Sequence, residues 1–131
     1  MKTLLVYKEQ SNFQVFKEVL AQHPNISLEE TDDPAAALQR GQEGQAEVIV
    51  VDEALSNGSG IQFIEQLVKL NPMVNTALVS GLGPGKFHEA TEGLGILVQL
   101  SPVPGQKDAE YFMEKLAKVA LLLEPLGADP S

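Results

Sequence analysis

The most informative stretch of the chain is Val48-Ile-Val-Val-Asp52, written VIVVD in one-letter code. Four consecutive β-branched residues without polar alternation are typical of a central strand that is covered on both faces of a parallel sheet. Asp52 stands at the carboxyl end of this strand and is followed by a loop rich in Ser, Asn and Gly. The loop leads into apolar residues with helical spacing, which are Ile61, Ile64, Leu67 and Val68. The stretch therefore predicts a buried strand, a polar loop and a helix, with a carboxylate at the end of the strand.

Apolar runs of strand length, each followed by helical spacing, occur five times along the chain. Besides Val48–Val51, strands are predicted at residues 3–7, 26–31, 76–80 and 96–100. Helices are predicted at residues 13–20, 33–40, 61–68, 86–92 and 108–123. This alternation favours an α/β fold, a flavodoxin-like doubly wound sheet of five parallel strands in the order 2-1-3-4-5. Helices one and five are expected on one face of the sheet and helices two to four on the other.

The length and the composition of the chain limit its class. Its 131 residues correspond to one domain, which we expect to span residues 1–123 and to be followed by a flexible tail at residues 124–131. The absence of cysteine excludes disulfides, a thiol nucleophile and a thiolate zinc site. A formal net charge of −9 disfavours nucleic acid and anionic membranes as partners. Because the sequence contains no long apolar run and no signal-peptide pattern, we expect a cytoplasmic protein.

Polar residues follow four of the five predicted strands, at the points where those strands end. In an open parallel sheet, ligands and reactive groups collect outside the carboxyl ends of the strands. The residues at these positions are Lys8 and Glu9, Asp52 and Glu53, Ser80 and Gly81, and Ser101 and Pro102. We therefore expect them to form the functional site of the domain.

This arrangement resembles the receiver domain of bacterial two-component response regulators over roughly residues 1–123. Asp52 falls where that family carries its phosphoryl-accepting aspartate, and Ser80 falls where it carries a hydroxyl that moves during switching. Gly60 takes the place of a glycine that lets the loop turn into the third helix. Pro102 matches a proline that usually follows a cis peptide bond. The resemblance implies a signalling domain of a phosphorelay, not an enzyme.

The resemblance also implies how such a domain communicates. Its partner would be another protein, namely a histidine kinase, a phosphotransfer protein or a downstream regulator. Helix four, strand five and helix five would form the docking surface, and the same surface could support a homodimer. Since the sequence carries no DNA-binding segment, any output is expected to pass through protein–protein contact.

Two departures from the receiver pattern concern the contacts to metal and phosphate. The family's acidic pair falls on Lys8 and Glu9, or on Tyr7 and Lys8 if the register is shifted by one. The family's lysine, which contacts the phosphoryl oxygens, falls on Ser101 or Leu100, depending on which neighbouring residue is used as the anchor. Neither position supplies an ammonium group, so a phosphorylated aspartate would lack this contact.

The replacement of a carboxylate by Lys8 bears on magnesium binding. Glu9, Asp52 and Glu53 remain as weak candidate metal ligands, and a lysine among them would repel a divalent cation. The sequence therefore predicts weak or absent Mg²⁺ binding and no other cofactor. We expect a degenerate receiver, or pseudoreceiver, in which Lys8 pairs with Asp52 and locks one signalling state.

Two alternatives stay open. In the first, the chain is a conventional receiver that is phosphorylated on Asp52 with Mg²⁺ bound at Glu9 and Glu53. In the second, it is a flavodoxin-like domain whose glycine-rich segment at residues 81–85 binds a phosphorylated small molecule. The second is less favoured, because the loop after the first strand, KEQSN, lacks the small residues that wrap a phosphate.

Overall fold

A computed structural model of the protein describes residues 1–123 and the side chains of residues 1–119. The segment predicted to be a flexible tail, residues 124–131, lies outside the described residues. The strands are β1 (Lys2–Val6), β2 (Ser27–Thr31), β3 (Val48–Val51), β4 (Ala54–Leu55), β5 (Gly58–Ser59), β6 (Asn75–Val79) and β7 (Val98–Leu100). The helices are α1 (Gln14–Leu20), preceded by a 3₁₀-helix (Gln10–Phe13), α2 (Pro34–Gln42), α3 (Gly60–Leu70), α4 (Pro84–Ala90) and α5 (Gln106–Leu123).

The main sheet has five parallel strands in the order β2-β1-β3-β6-β7. This order confirms the predicted flavodoxin-like topology, because β4 and β5 form only a short antiparallel hairpin between β3 and α3. The register aligns Val6 with Val51, and Val51 with Leu78. The carboxyl ends of the three central strands therefore lie level at one edge of the sheet.

Side chains alternate along the strands and form one apolar layer on each face of the sheet. The first layer joins the strands to α1 and α5 and includes Leu5, Val50, Phe16 and Phe112. The second layer joins them to α2 and α3, with α4 packed against it, and includes Leu4, Ile49, Ala37, Ile64 and Phe87. The helices are thus distributed over the two faces as the sequence predicted.

Two strands end one residue earlier than predicted. β1 ends at Val6 and β6 at Val79, so Tyr7 and Ser80 lie just beyond the ends of their strands. Ser80 still donates its backbone N–H to the neighbouring strand, at 2.9 Å from the carbonyl oxygen of Leu100. Both residues therefore belong to the edge of the sheet at which the site was expected.

The last strand is shorter than predicted, since β7 begins at Val98 instead of residue 96. The preceding Gly93 and Gly95 have φ angles of 83° and 64°, which is the left-handed region that interrupts an extended chain.

Between residues 1 and 123, no helix combines the length and the apolar character needed to cross a membrane.

Candidate functional site

Asp52 follows β3 directly and lies in a largely buried position. Its backbone N–H donates to the carbonyl oxygen of Val6 at 3.0 Å, and only 8% of the residue is exposed. One carboxylate oxygen accepts a hydrogen bond from the backbone N–H of Glu53 at 2.8 Å. Burial raises the pKa of the Asp52 carboxyl above its ordinary value, the hydrogen bond from Glu53 opposes this effect, and the negative charge of Glu53 adds to it. Asp52 is therefore an acid whose charged form is disfavoured by its surroundings.

Gly60 fixes the position of α3 against Asp52. A Cβ atom at Gly60 would lie 2.2 Å from the carbonyl oxygen of Asp52 and 2.7 Å from Cδ1 of Leu78, so a side chain cannot fit there. The helix starts with a capping box, in which Gln62 N–H donates to Ser59 Oγ and Ser59 N–H donates to Gln62 Oε1. The sequence reasoning assigned this glycine to a turn, whereas the structure requires it for close packing.

Tyr7 occupies the end of β1 level with Asp52, because Val6 and Val51 are paired in register. Its ring is buried in the first apolar layer and stacks on Phe13, with ring centroids 5.8 Å apart. Its hydroxyl donates a hydrogen bond to Glu30, whose carboxylate also forms an ion pair with Lys17 at 3.0 Å. Tyr7 is therefore held by its neighbours in β2 and in the 3₁₀-helix, and it brings no carboxylate to Asp52.

The contact between Tyr7 and Glu30 shifts the pKa values of both side chains. Burial, followed by the hydrogen bond to Glu30, raises the pKa of Tyr7 to about 12. The hydrogen bond from Tyr7 lowers the pKa of Glu30, and Lys17 lowers it further, against the effect of burial. At neutral pH the phenol is thus a neutral donor and Glu30 a charged acceptor.

Lys8 does not form the ion pair that the sequence suggested. The residue is exposed, and among the described side chains no ion pair joins it to Asp52. The neighbouring charge that raises the pKa of the Asp52 carboxyl is the negative charge of Glu53. The expected pairing is wrong, because at the end of β1 the side chain of Tyr7 is buried and that of Lys8 is exposed.

The candidate metal ligands are not assembled into a metal site. Within the described part of the chain, no three His, Cys, Asp or Glu side chains are grouped so that they could hold an ion. Glu9 is exposed, and Glu53 Oε1 accepts a hydrogen bond from the backbone N–H of Gly81 at 3.2 Å. Mg²⁺ requires oxygen ligands in near-octahedral geometry. Glu9, Asp52 and Glu53 do not fit such an ion as a set.

Ser80 lies at the end of β6, the strand next to β3, and is 5% exposed. Its Oγ accepts a hydrogen bond from the backbone N–H of Leu82 at 3.1 Å. The side-chain amide of Gln99 in β7 donates to the carbonyl oxygens of Ser80 and Leu82, at 3.1 and 2.8 Å. The sequence reasoning missed Gln99, although a polar residue inside the short apolar strand Val98–Leu100 was a usable signal.

The loop after β7 carries Ser101 and Pro102, both of which are exposed. Asp108 of α5 holds this loop, since its carboxylate accepts from the backbone N–H groups of Ser101 and Gly105 at 2.9 and 3.1 Å. Every peptide bond among the described residues is trans, so the cis bond that the resemblance implied before Pro102 is not present. The exposed Val103 instead has a φ of 51°, which is unusual for a β-branched residue.

Comparisons with known proteins give a consistent answer at the level of fold. No family model matches the chain, and no curated protein sequence matches it significantly. Among solved structures, it is similar to the response regulator domain of Thermotoga maritima CheB, with a TM-score of 0.73 and 19% identity over 95% of this chain and 98% of that one. It is also similar to the isolated receiver domain of RcsB from Salmonella enterica serovar Typhimurium, solved in the presence of the phosphomimetic BeF₃⁻, with a TM-score of 0.75 and 18% identity over 95% and 99% of the two chains.

A third similar structure is the signal receiver domain of the putative response regulator NarL from Mycobacterium tuberculosis. The TM-score is 0.70 and the identity 15%, over 89% of this chain and 95% of that one. TM-scores of 0.70 to 0.75 over most of each chain show a shared fold, and identities of 15 to 19% show no more than that. The chain therefore has the fold of the receiver domains of two-component response regulators.

Proposed function

We propose that the chain is a cytoplasmic pseudoreceiver, a receiver-like signalling domain that acts through protein–protein contact without Mg²⁺-dependent phosphorylation. The observation that carries the proposal is the buried Tyr7 at the end of β1, level with Asp52. A tyrosine that donates to Glu30 adds neither a metal ligand nor a negative charge at this position. Asp52 is thereby left as a buried acid without a second carboxylate from β1.

The chemistry of phosphoryl transfer explains why this matters. Transfer to a carboxylate requires that the charge on the oxygens of the moving group be neutralised, usually by a divalent cation and a positioned lysine. Here Glu53 is engaged with Gly81, Lys8 is exposed, and the residue before Pro102 is Ser101.

Treatment with a small phosphodonor such as acetyl phosphate, with and without Mg²⁺, tests this proposal. We expect the intact mass of the protein to stay unchanged in both conditions. A gain of about 80 Da that requires Mg²⁺ and disappears in Asp52→Asn would overturn the proposal. Asp33→Asn is a matched control, because Asp33 is exposed and its carboxylate caps α2.

A Mg²⁺-dependent gain of mass that disappears in Asp52→Asn would establish the second candidate function, a conventional receiver. One observation favours this candidate. Asp52 and Ser80 are both buried and follow neighbouring strands, as the receiver pattern requires of a phosphoryl acceptor and a switch hydroxyl. The assay separates the two functions because only the conventional receiver gains mass.

We propose α4, β7 and α5 as the docking surface for the partner protein, a histidine kinase, a phosphotransfer protein or a downstream regulator. Large apolar side chains are exposed in this part of the fold, namely Leu82, Val103 and Tyr111. The ammonium group of Lys115 lies over the exposed ring of Tyr111, 5.3 Å from its centroid. Sedimentation velocity of the wild type and of Tyr111→Glu tests the homodimer alternative. A dimer that Tyr111→Glu dissociates would make the partner a second copy, and a monomer at all concentrations would exclude it.

A further inference from the structure

The loop that follows β6, Ser80–Leu82, is held by side chains from the two strands that flank β6. On one side, the side-chain amide of Gln99 in β7 donates to the carbonyl oxygens of Ser80 and Leu82, at 3.1 and 2.8 Å. On the other side, Glu53 just after β3 accepts from the backbone N–H of Gly81 at 3.2 Å. The loop is therefore tied to both of its neighbours in the sheet.

The amide of Gln99 is well suited to this task, because its NH₂ group has two protons and each can satisfy one carbonyl oxygen. The two carbonyl groups stand on either side of Gly81, which is the residue with the greatest backbone freedom in the loop. The two remaining N–H groups are also occupied, since Ser80 donates to Leu100 and Leu82 donates to Ser80 Oγ. A change in the backbone of this loop must break several of these hydrogen bonds together.

The helix that follows is held much more weakly. α4 contains no buried residue, and its N-terminal Gly83 provides no side-chain cap. Positions Gly83 and Gly85 have no atom within 4 Å of the place where a Cβ would stand. The strong attachment thus ends at Leu82, and the chain beyond it is lightly packed.

We propose that Gln99 is a positioning residue that holds the Ser80–Leu82 loop in one conformation. Because the loop is fixed, a chemical change at Asp52 is not passed on to α4. A displacement of the loop backbone toward Asp52 would break both hydrogen bonds from Gln99, whereas rotation of the Ser80 hydroxyl alone would break only the bond that Ser80 Oγ accepts. The meaning of this inference for signalling rests on the proposed function. It deepens that function by naming the residue that fixes the signalling state. The hydrogen bonds themselves do not depend on phosphorylation.

Amide hydrogen exchange followed by NMR, without any phosphodonor, tests the inference. Gln99→Glu keeps the size of the side chain but removes both donors, and Gln99→Met removes them without adding a charge. Gln66→Glu, on the exposed side of α3, is the control for the added charge. The amides of Gly81 and Leu82 report on the loop, and those of Ala77 and Leu78 in the centre of the sheet report on global unfolding.

We expect the amides of Gly81 and Leu82 to exchange about tenfold faster in both Gln99 variants, relative to those of Ala77 and Leu78, and to be unchanged in Gln66→Glu. Unchanged loop amides in either Gln99 variant would overturn the inference. Equal acceleration of loop and sheet amides would also overturn it, because Gln99 would then contribute only to general stability. The outcome is distinct from that of the phosphodonor assay, since a protein that gains phosphate can still have a loop fixed by Gln99.

Discussion

Helices α3 and α4 cover the same face of the sheet and follow neighbouring strands, yet they are attached to it very differently. α3 begins with a capping box and buries Gly60, Phe63, Ile64 and Leu67. α4 has no side-chain cap and buries no residue, and Phe87 is its only contact with the second apolar layer. The difference indicates that α3 is fixed closely against the sheet beside Asp52, whereas α4 is attached to the sheet only weakly.

The largest effect is expected from alanine at Gly60 in α3, and alanine at Gly85 in α4 provides the contrast. Gly60→Ala should destabilise the protein by about 4 kcal/mol, because the new methyl group would overlap the carbonyl oxygen of Asp52. Gly85→Ala in α4 should stabilise it by about 0.5–1 kcal/mol, because the site is open and alanine favours a helix. Urea denaturation measures both changes. A Gly60→Ala protein as stable as the wild type would show that α3 is not packed on Asp52 as described.

Truncation of one apolar side chain in each helix sharpens the same contrast. Leu67 is fully buried, so Leu67→Ala should cost about 3 kcal/mol of unfolding free energy. Phe87 is only half-buried, so Phe87→Ala should cost about 1 kcal/mol. Equal losses in thermal or chemical unfolding would contradict the view that α4 is weakly attached.

The buried position of Asp52 should make this residue a source of instability at neutral pH. Because the folded-state pKa is raised above its ordinary value of 3.8, the native protein binds the proton more tightly than the unfolded chain. Stability should therefore fall as pH rises from 3.8 through the raised pKa, and Asp52→Asn should be more stable than the wild type at pH 7. The advantage should vanish as pH falls toward 3.8. A destabilised Asp52→Asn at pH 7 would mean that the charge is compensated by a partner.

Glu30 lies on the opposite side of Tyr7 from Asp52. Its charged form should stabilise the folded protein, whereas that of Asp52 destabilises it. Its lowered pKa gives stability that is present above the ordinary value of 4.5 and is lost as pH falls through the folded-state pKa. Since solvent screens this partly exposed group, Glu30→Gln should cost only about 0.5 kcal/mol at pH 7. The difference from the wild type should disappear in acid, and a pH-independent difference would exclude the ionic contribution.

The sequence predicted the sheet because most of its strands are compact apolar runs, each followed by apolar residues with helical spacing; β2, which reads SLEET, is the polar exception. It also predicted the start of α2, where Asp33 caps the helix by accepting from the N–H of Ala35 at 3.0 Å. The hairpin β4–β5 could not be predicted, since its two-residue strands contain no periodicity. Tertiary packing, which no local pattern reports, also decides why Gly60 must be glycine.

The candidate site was predicted less completely than the fold. Spacing located Asp52 and Ser80 correctly at neighbouring strand ends, because such positions follow directly from the strands. The direction of side chains beyond a strand end depends on long-range partners. Tyr7 turns inward because Phe13 and Glu30 receive it, and Lys8 is consequently left outside. The role of Gln99 depends on two carbonyl groups that lie about 18 residues earlier in the chain.

Magnesium titration of the wild-type protein, followed through the NMR signals of Asp52, Glu53 and Gly81, tests the central claim most directly. We expect no saturable change at these residues at sub-millimolar Mg²⁺, because Tyr7 brings no ligand and Glu53 is engaged with Gly81. Saturable changes centred on Asp52 that disappear in Asp52→Asn would contradict the account and identify a functional receiver site.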